Sequence, residues 1–162
     1  MNACLPLQGN PAPIMACARR YLCVSLPFLA TDRILRLRHG PAWKTAALPE
    51  RPPLVVAGQR DNAQRLVALC ERSMAVGLAR GQGLADARAM VPMLDAVLED
   101  RAADLALLEA IADWCDRYTP LVALDAREGG DGLLLDITGC AHLFAGEAAL
   151  LAHREALQRQ GR

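Results

Sequence analysis

The chain has 162 residues, of which 53% are hydrophobic and only 4% aromatic, and its formal net charge is zero. This composition is typical of a globular protein and excludes a disordered chain or a strongly basic nucleic-acid-binding protein. No apolar run approaches the ~20 residues that a membrane span needs, so no membrane contact is expected. The six cysteines form no CxxC pair, which indicates free thiols in a reducing, cytoplasmic setting.

Apolar periodicity and turn residues divide the first part of the chain. Residues 1–18 contain three prolines and no long apolar run, so we interpret them as a disordered leader rather than a signal peptide. Arg20 to Leu26 alternates apolar and polar residues, which predicts a strand, and Pro27 ends it at the start of a helix. The elements predicted up to residue 92 are a strand at 20–26, a helix at 28–38, a hairpin of strands 54–58 and 65–70 with a turn at 59–62, and short helices at 71–77 and 83–92.

The second part of the chain predicts the order strand, helix, strand, strand, helix. Strands are expected at 95–99, 120–125 and 132–137, and a final amphipathic helix at 146–160. With the first strand, this order is that of a ferredoxin-like split βαβ layer, so the predicted fold class is α+β with a small α/β insertion. The end of the chain after the final helix indicates a fragment. The clearest helix, 102–118, has an apolar face of Leu105, Leu108, Ile111, Cys115 and Tyr118.

Three segments in order resemble the N-terminal half of the Y-family (UmuC-like) translesion DNA polymerases, especially the polymerase-like proteins of bacterial mutagenesis cassettes. They read YLCVSLPFLATD, LVALCERSMAVGLARGQGLADARAMVP and DWCDRYTPLVALDAREGGDGLLLDITGCAHLFAG. The resemblance covers about residues 19–161. It implies a palm formed by 19–26 and 93–162 and fingers formed by 27–92. The thumb and little finger of the family would follow and are absent from the chain.

The resemblance implies a magnesium site whose ligands are largely missing here. Active members hold two Mg²⁺ ions with an aspartate in the first palm strand and an Asp-Glu pair on a later hairpin. The matching positions are Ser25, and Asp131 followed by Gly132, so one carboxylate of three remains. Asp131 is a weak metal candidate, and its more ordinary interpretation is a turn residue between glycines. Asp125, at the other end of the turn, is a second candidate for replacing a lost carboxylate.

The nucleotide grip of the family is also degraded. Active members hold the triphosphate with a tyrosine and an arginine of a short helix that precedes a glycine. Aligned on Gly77, these positions are Glu71 and Met74: the first would repel phosphate, and the second donates no hydrogen bond. Arg72 lies roughly 200° around the helix from the arginine position and should not substitute for it. We therefore expect no catalytic residues, no nucleotide site and no cofactor, with Mg²⁺ needed only if the chain is active.

Several other residues have both a functional and a structural interpretation. Trp114 and Tyr118 could form a partner-binding patch, but packing of their helix is favoured, and Asp136 is expected to be structural. Cys140 and His142 lack the further ligands that zinc needs. The arginines that could touch a DNA backbone, or lie on a solvated helix face, are Arg19, Arg20, Arg33, Arg36 and Arg38.

The resemblance implies a non-catalytic polymerase homologue in DNA repair, acting in damage-induced (SOS) translesion synthesis. It would serve as a scaffold for an error-prone replicative-type polymerase, a RecA-like accessory protein and the sliding clamp. Contact with DNA would be weak and made through the downstream domains. Two alternatives remain open, namely an active translesion polymerase with rearranged metal ligands, and an interaction domain or non-functional fragment.

Overall fold

The computed structural model describes residues 19–44, 51–125 and 130–140, and the single residues 143, 146 and 149. The leader predicted at 1–18, and most of the helix predicted at 146–160, lie outside these described residues. The elements in chain order are β1 (Tyr21–Ser25), α1 (Leu29–His39), β2 (Leu54–Arg60), β3 (Ala63–Leu69), α2 (Glu71–Ala75), α3 (Leu84–Met90), β4 (Asp95–Leu98), α4 (Arg101–Cys115), β5 (Val122–Leu124) and β6 (Gly132–Asp136). They form two three-stranded sheets, ordered β1-β6-β5 and β3-β2-β4, which confirms the predicted α+β class.

The first sheet is fully antiparallel and packs one face against α4. Val24 of β1 and Leu135 of β6 point to that face, where they meet Leu108 and Cys115 of the helix in one buried cluster. The predicted alternation of β1 is confirmed, because its polar neighbours point away from the cluster. Asp100 caps α4 by accepting a hydrogen bond from the Ala103 amide at 3.0 Å. This cap satisfies one of the free amide groups at the N-terminal end of α4.

The hairpin of the second sheet has a tighter turn than predicted. Only Asp61 and Asn62 lie between β2 and β3, and both have left-handed backbones, with φ of 47° and 60°. Two consecutive left-handed residues match the right-handed twist of a hairpin, and Asp and Asn tolerate this conformation. The predicted turn over 59–62 was therefore too long, and the strands extend closer to the tip.

The split βαβ order predicted that β4 would join the first sheet, but the structure places it in the second sheet. It runs parallel to β2, with Leu54 beside Asp95 and Ala57 beside Leu98. The physical reason is the burial of β2, whose residues from Leu54 to Ala57 are at most 2% exposed. A strand buried on both faces lies in the centre of a sheet, so β2 needs a second neighbour besides β3. The boundaries predicted for the palm and fingers stay a prediction.

Helix α1 links the two sheets. Its Ile34 is buried against β2 and β3, and its Arg33 donates to the Asp104 carboxylate of α4 at 2.6 Å.

Helix α4 is shorter than predicted, and Leu105 does not belong to its buried face, because it is 48% exposed and borders the cleft between the sheets. None of the helices in the described part of the chain is long and apolar enough to span a membrane.

Candidate functional site

A cleft of about 740 Å³ separates the two sheets. Pro27, at the start of α1, and the ends of β5 and β6 form one wall. The opposite wall comes from β2 and β3 and from the loop that follows α2. The charged side chains that border the cleft are Arg60, Arg65, Arg80, Glu99, Arg101, Asp104, Asp125 and Asp131.

The residues that the resemblance assigned to the metal site lie beside the first wall, and of the three it is Asp131 that lines the cleft. Ser25 pairs directly with Gly132 across β1 and β6. The Leu26 amide donates to the Asp131 carbonyl oxygen at 2.8 Å, which sets Asp131 at the start of β6. A Cβ atom at Gly132 would lie 3.2 Å from the Val24 carbonyl oxygen, a close but not forbidden approach. The hairpin therefore forms without two of the three expected carboxylates.

Asp125 is the second carboxylate beside this position. Its amide donates to the Gly132 carbonyl oxygen at 2.9 Å, so it faces β6 at the end of β5. A Cβ atom at Gly132 would lie 3.8 Å from its Oδ2 atom. The Asp125 carboxylate is thus near the space that a longer side chain at position 132 would enter.

An arginine contacts the remaining family carboxylate. One terminal nitrogen of Arg80, Nη2, donates to the Pro27 carbonyl oxygen at 2.8 Å and lies 3.3 Å from Asp131 Oδ2. Sequence reasoning missed this residue. Arg80 is one of many arginines in the sequence, and it lies in a loop that carries no recognisable motif. The packing of the two sheets brings it to Asp131.

The residues present do not fit a pair of Mg²⁺ ions. Mg²⁺ in phosphate chemistry takes carboxylate oxygens with near-octahedral geometry. Here Ser25 offers a neutral hydroxyl, Gly132 has no side chain, and Asp131 already faces a guanidinium. Within the described residues no three His, Cys, Asp or Glu side chains gather as a metal site would require.

The other arginines of the cleft are also engaged by the protein. Arg60 makes two hydrogen bonds to the Glu99 carboxylate, each of 3.0 Å, and Arg101 donates to the same group at 3.1 Å. These hydrogen bonds lower the pKa of Glu99, and the largest contribution comes from Arg60. Arg65 donates to the Gly81 carbonyl oxygen at 3.0 Å. A phosphate entering the cleft would compete with these acceptors.

The two positions assigned to the nucleotide grip lie on α2, outside the cleft lining. Glu71 is exposed, and Met74 is 55% exposed. Burial raises the pKa of Asp32 on α1, and the charge of Glu71 raises it further, while Lys44 opposes both effects. The charge of Glu71 therefore acts on Asp32 at the position where the resemblance placed a donor for phosphate.

The remaining candidate residues have structural contacts. Tyr118 is 7% exposed and packs edge-on against Trp114, with ring centres 5.6 Å apart, which supports the packing interpretation. Asp136 accepts from the Thr138 amide at 2.9 Å, and hydrogen bonds from Thr138 lower the pKa of Asp136. Arg38 forms an ion pair with Asp95, as Arg33 does with Asp104, so both arginines already contact a carboxylate of the protein. His142 lies outside the described residues.

Comparisons with known proteins agree with this fold. No protein-family model matches the chain. It superimposes on the insertion ternary complex of Dbh DNA polymerase with a TM-score of 0.63 and 13% identity, covering 86% of this chain and 38% of that one. DinB from Sulfolobus solfataricus gives 0.61 and 16%, covering 86% and 37%, and a chimeric Y-family DNA polymerase gives 0.60 and 17%, covering 85% and 38%. The fold is that of the Y-family DNA polymerases.

A sequence match supports the same conclusion more specifically. The chain is 57% identical over 76 residues to the protein ImuB of Caulobacter vibrioides, in strains NA1000 / CB15N and ATCC 19089 / CIP 103742 / CB 15. The match covers 47% of this chain and only 16% of ImuB. The resemblance to Y-family polymerases, and to ImuB among them, is confirmed. The structural neighbours, at 13% to 17% identity, establish the fold alone.

Proposed function

We propose that this chain is part of a non-catalytic Y-family polymerase homologue that acts in the response to DNA damage as a scaffold for an error-prone polymerase. One observation carries the proposal. Where the family pattern places its metal ligands, Ser25 pairs with Gly132, and Asp131 faces Arg80. Phosphoryl transfer of this class depends on metal ions that neutralise the developing charge, and a fold retained without those ligands supports a binding role.

The nucleotide side of the cleft supports the same proposal. A triphosphate carries several negative charges and needs several free donors. In this chain the arginines of the cleft are engaged by carboxylates and carbonyl groups, and Glu71 and Asp32 add negative charge beside α2. Binding a triphosphate in the cleft would require breaking these internal ion pairs and hydrogen bonds, which opposes binding.

Primer extension tests the loss of activity. The protein that carries this chain should extend a primed template no faster than a blank, in Mg²⁺ or in Mn²⁺, while a polymerase such as Dbh does so under the same conditions. The variant Asp131→Ala should behave as the unmodified protein. Metal-dependent extension by the unmodified protein that Asp131→Ala abolishes would overturn the proposal.

The scaffold role has its own measurement. The partners implied by the resemblance are an error-prone replicative-type polymerase, a RecA-like protein and the sliding clamp. Co-purification of each purified partner with the protein, and with a version lacking residues 19–140, would show which contacts need this chain. Binding to primed DNA should be weak and should fall steeply with salt, since phosphate contacts dominate such affinity.

A second candidate function is supported by the position of Asp125. Its carboxylate lies near the space of the missing side chain at position 132, so Asp125 and Asp131 offer two carboxylates to a rearranged metal site. This candidate predicts extension that is lost in both Asp125→Asn and Asp131→Asn. Equal, blank-level rates in all three proteins would exclude it.

A further inference from the structure

The loop that carries Arg80 is held firmly against β3. The Gly81 amide donates to the Leu66 carbonyl oxygen at 2.8 Å, and the Leu66 amide donates to the Gln82 carbonyl oxygen at 2.9 Å. Gly81 has φ of 84°, a left-handed backbone that favours glycine. These contacts fix the direction in which the Arg80 side chain leaves the second sheet.

The acceptors of Arg80 belong to the other sheet. The Pro27 carbonyl lies just after β1, and the Asp131 carboxylate lies just before β6. The same two elements are joined by the hydrogen bond from the Leu26 amide to the Asp131 carbonyl oxygen at 2.8 Å. Arg80 therefore contacts the first sheet where its longest-range strand pair begins.

A carboxylate oxygen and a main-chain carbonyl oxygen are also what a hard divalent cation takes from a protein. We propose that the Arg80 guanidinium is a built-in cation that takes both oxygens and ties the two sheets together across the cleft, so that their arrangement needs no metal ion. The inference rests on the proposed loss of the metal site and adds the residue that replaces the ions. One nitrogen of Arg80, Nη2, contacts both acceptors, and a guanidinium is always charged.

Hydrogen exchange of the Leu26 amide reports directly on this contact. The variants are Arg80→Gln, Asp131→Asn and the double variant, with Arg88→Gln as control. Arg88 is exposed on α3, and its side chain makes no hydrogen bond or ion pair with the described residues. Because Arg80 is 51% and Asp131 27% exposed, each single variant should speed exchange at Leu26 by only about threefold. The double variant should exchange no faster than Arg80→Gln, because Asp131 acts through Arg80, and Arg88→Gln should match the unmodified protein.

Two further exchange measurements use only the unmodified protein, so they test the proposal even if a variant does not fold. Sodium chloride at about 1 M screens half-exposed pairs and should speed exchange at Leu26 by up to about threefold, without changing the exchange rates of the amides in β2 and β3. Adding Mg²⁺ should give no protection at Leu26. The proposal is overturned if Arg80→Gln leaves exchange unchanged, if the two single effects multiply in the double variant, or if Mg²⁺ protects Leu26. None of these outcomes depends on primer extension, so they are separable from a failure of the proposed function.

Discussion

At the scale of single residues, the hairpin keeps its strand pairing at the place where the carboxylates are missing. Ser25 still pairs with Gly132, because pairing uses backbone groups that any side chain leaves available. A Cβ atom at Gly132 would only crowd the Val24 carbonyl, so the backbone does not require glycine there. Loss of the metal ligands therefore costs the fold little.

Gly130 is different, and this gives a first prediction. A Cβ atom there would lie 2.7 Å from the Asp125 carbonyl oxygen, which is backbone and cannot move aside easily. Gly130→Ala should lower the free energy of unfolding by about 2 kcal/mol, measured by urea denaturation. Gly132→Ala is the matched control and should cost less, since its nearest backbone contact is 3.2 Å. Equal costs would show that the turn relaxes freely.

Glu99 predicts a dependence of stability on pH. Hydrogen bonds from Arg60 and Arg101 lower its pKa from the ordinary value of 4.5. A lowered carboxyl pKa adds stability that is present above 4.5 and is lost as the pH falls through the folded-state value. Glu99→Gln should therefore cost about 1 kcal/mol at pH 7, after allowing for partial exposure of Arg60, and much less at about pH 3. Glu109→Gln, at an exposed position of α4, is the control for the substitution itself and should cost less than about 0.5 kcal/mol at pH 7.

At the scale of elements, α4 begins at a side-chain cap. Asp100 accepts from the Ala103 amide, so Asp100→Ala should lower the free energy of unfolding by about 1 kcal/mol. Asp113→Ala, near the other end of the same helix, is the control and should be neutral or slightly stabilising, because a negative charge there opposes the helix dipole. Thermal unfolding of both variants checks this, and equal losses would contradict it.

Periodicity within an element was enough to predict most strands and helices, but not their partners. The alternation around Val24 predicted β1, and Gly77 and Pro92 predicted where α2 and α3 end. Nothing in the residues of β4 says that its neighbour is β2 rather than β1, because that choice depends on the burial of β2. Arg80 escaped prediction for the same reason, since its acceptors lie about 50 residues away in either direction.

At the scale of the whole molecule, α1 holds the two sheets together through both apolar and charged contacts. The Arg33–Asp104 pair has side chains only 18% and 19% exposed, whereas Lys44–Asp32 has 46% and 34%. A double-mutant cycle on unfolding should give a coupling of about 1–2 kcal/mol for the first pair. The second pair is the control and should give less than about 0.5 kcal/mol. Equal couplings would mean that burial does not strengthen the bridge.

The order of the strands has a consequence for synthesis on the ribosome. The second sheet has all its strands once Leu98 has emerged, but β1 hydrogen-bonds only to β6 among the described strands. At ~5–20 residues per second, β1 spends roughly five to twenty seconds without its partner while the intervening chain is made. An early strand with a bare edge is open to pairing with neighbouring nascent chains. We expect slowed translation between β1 and β6 to lower the yield of native protein, and a chaperone that covers β1 to restore it.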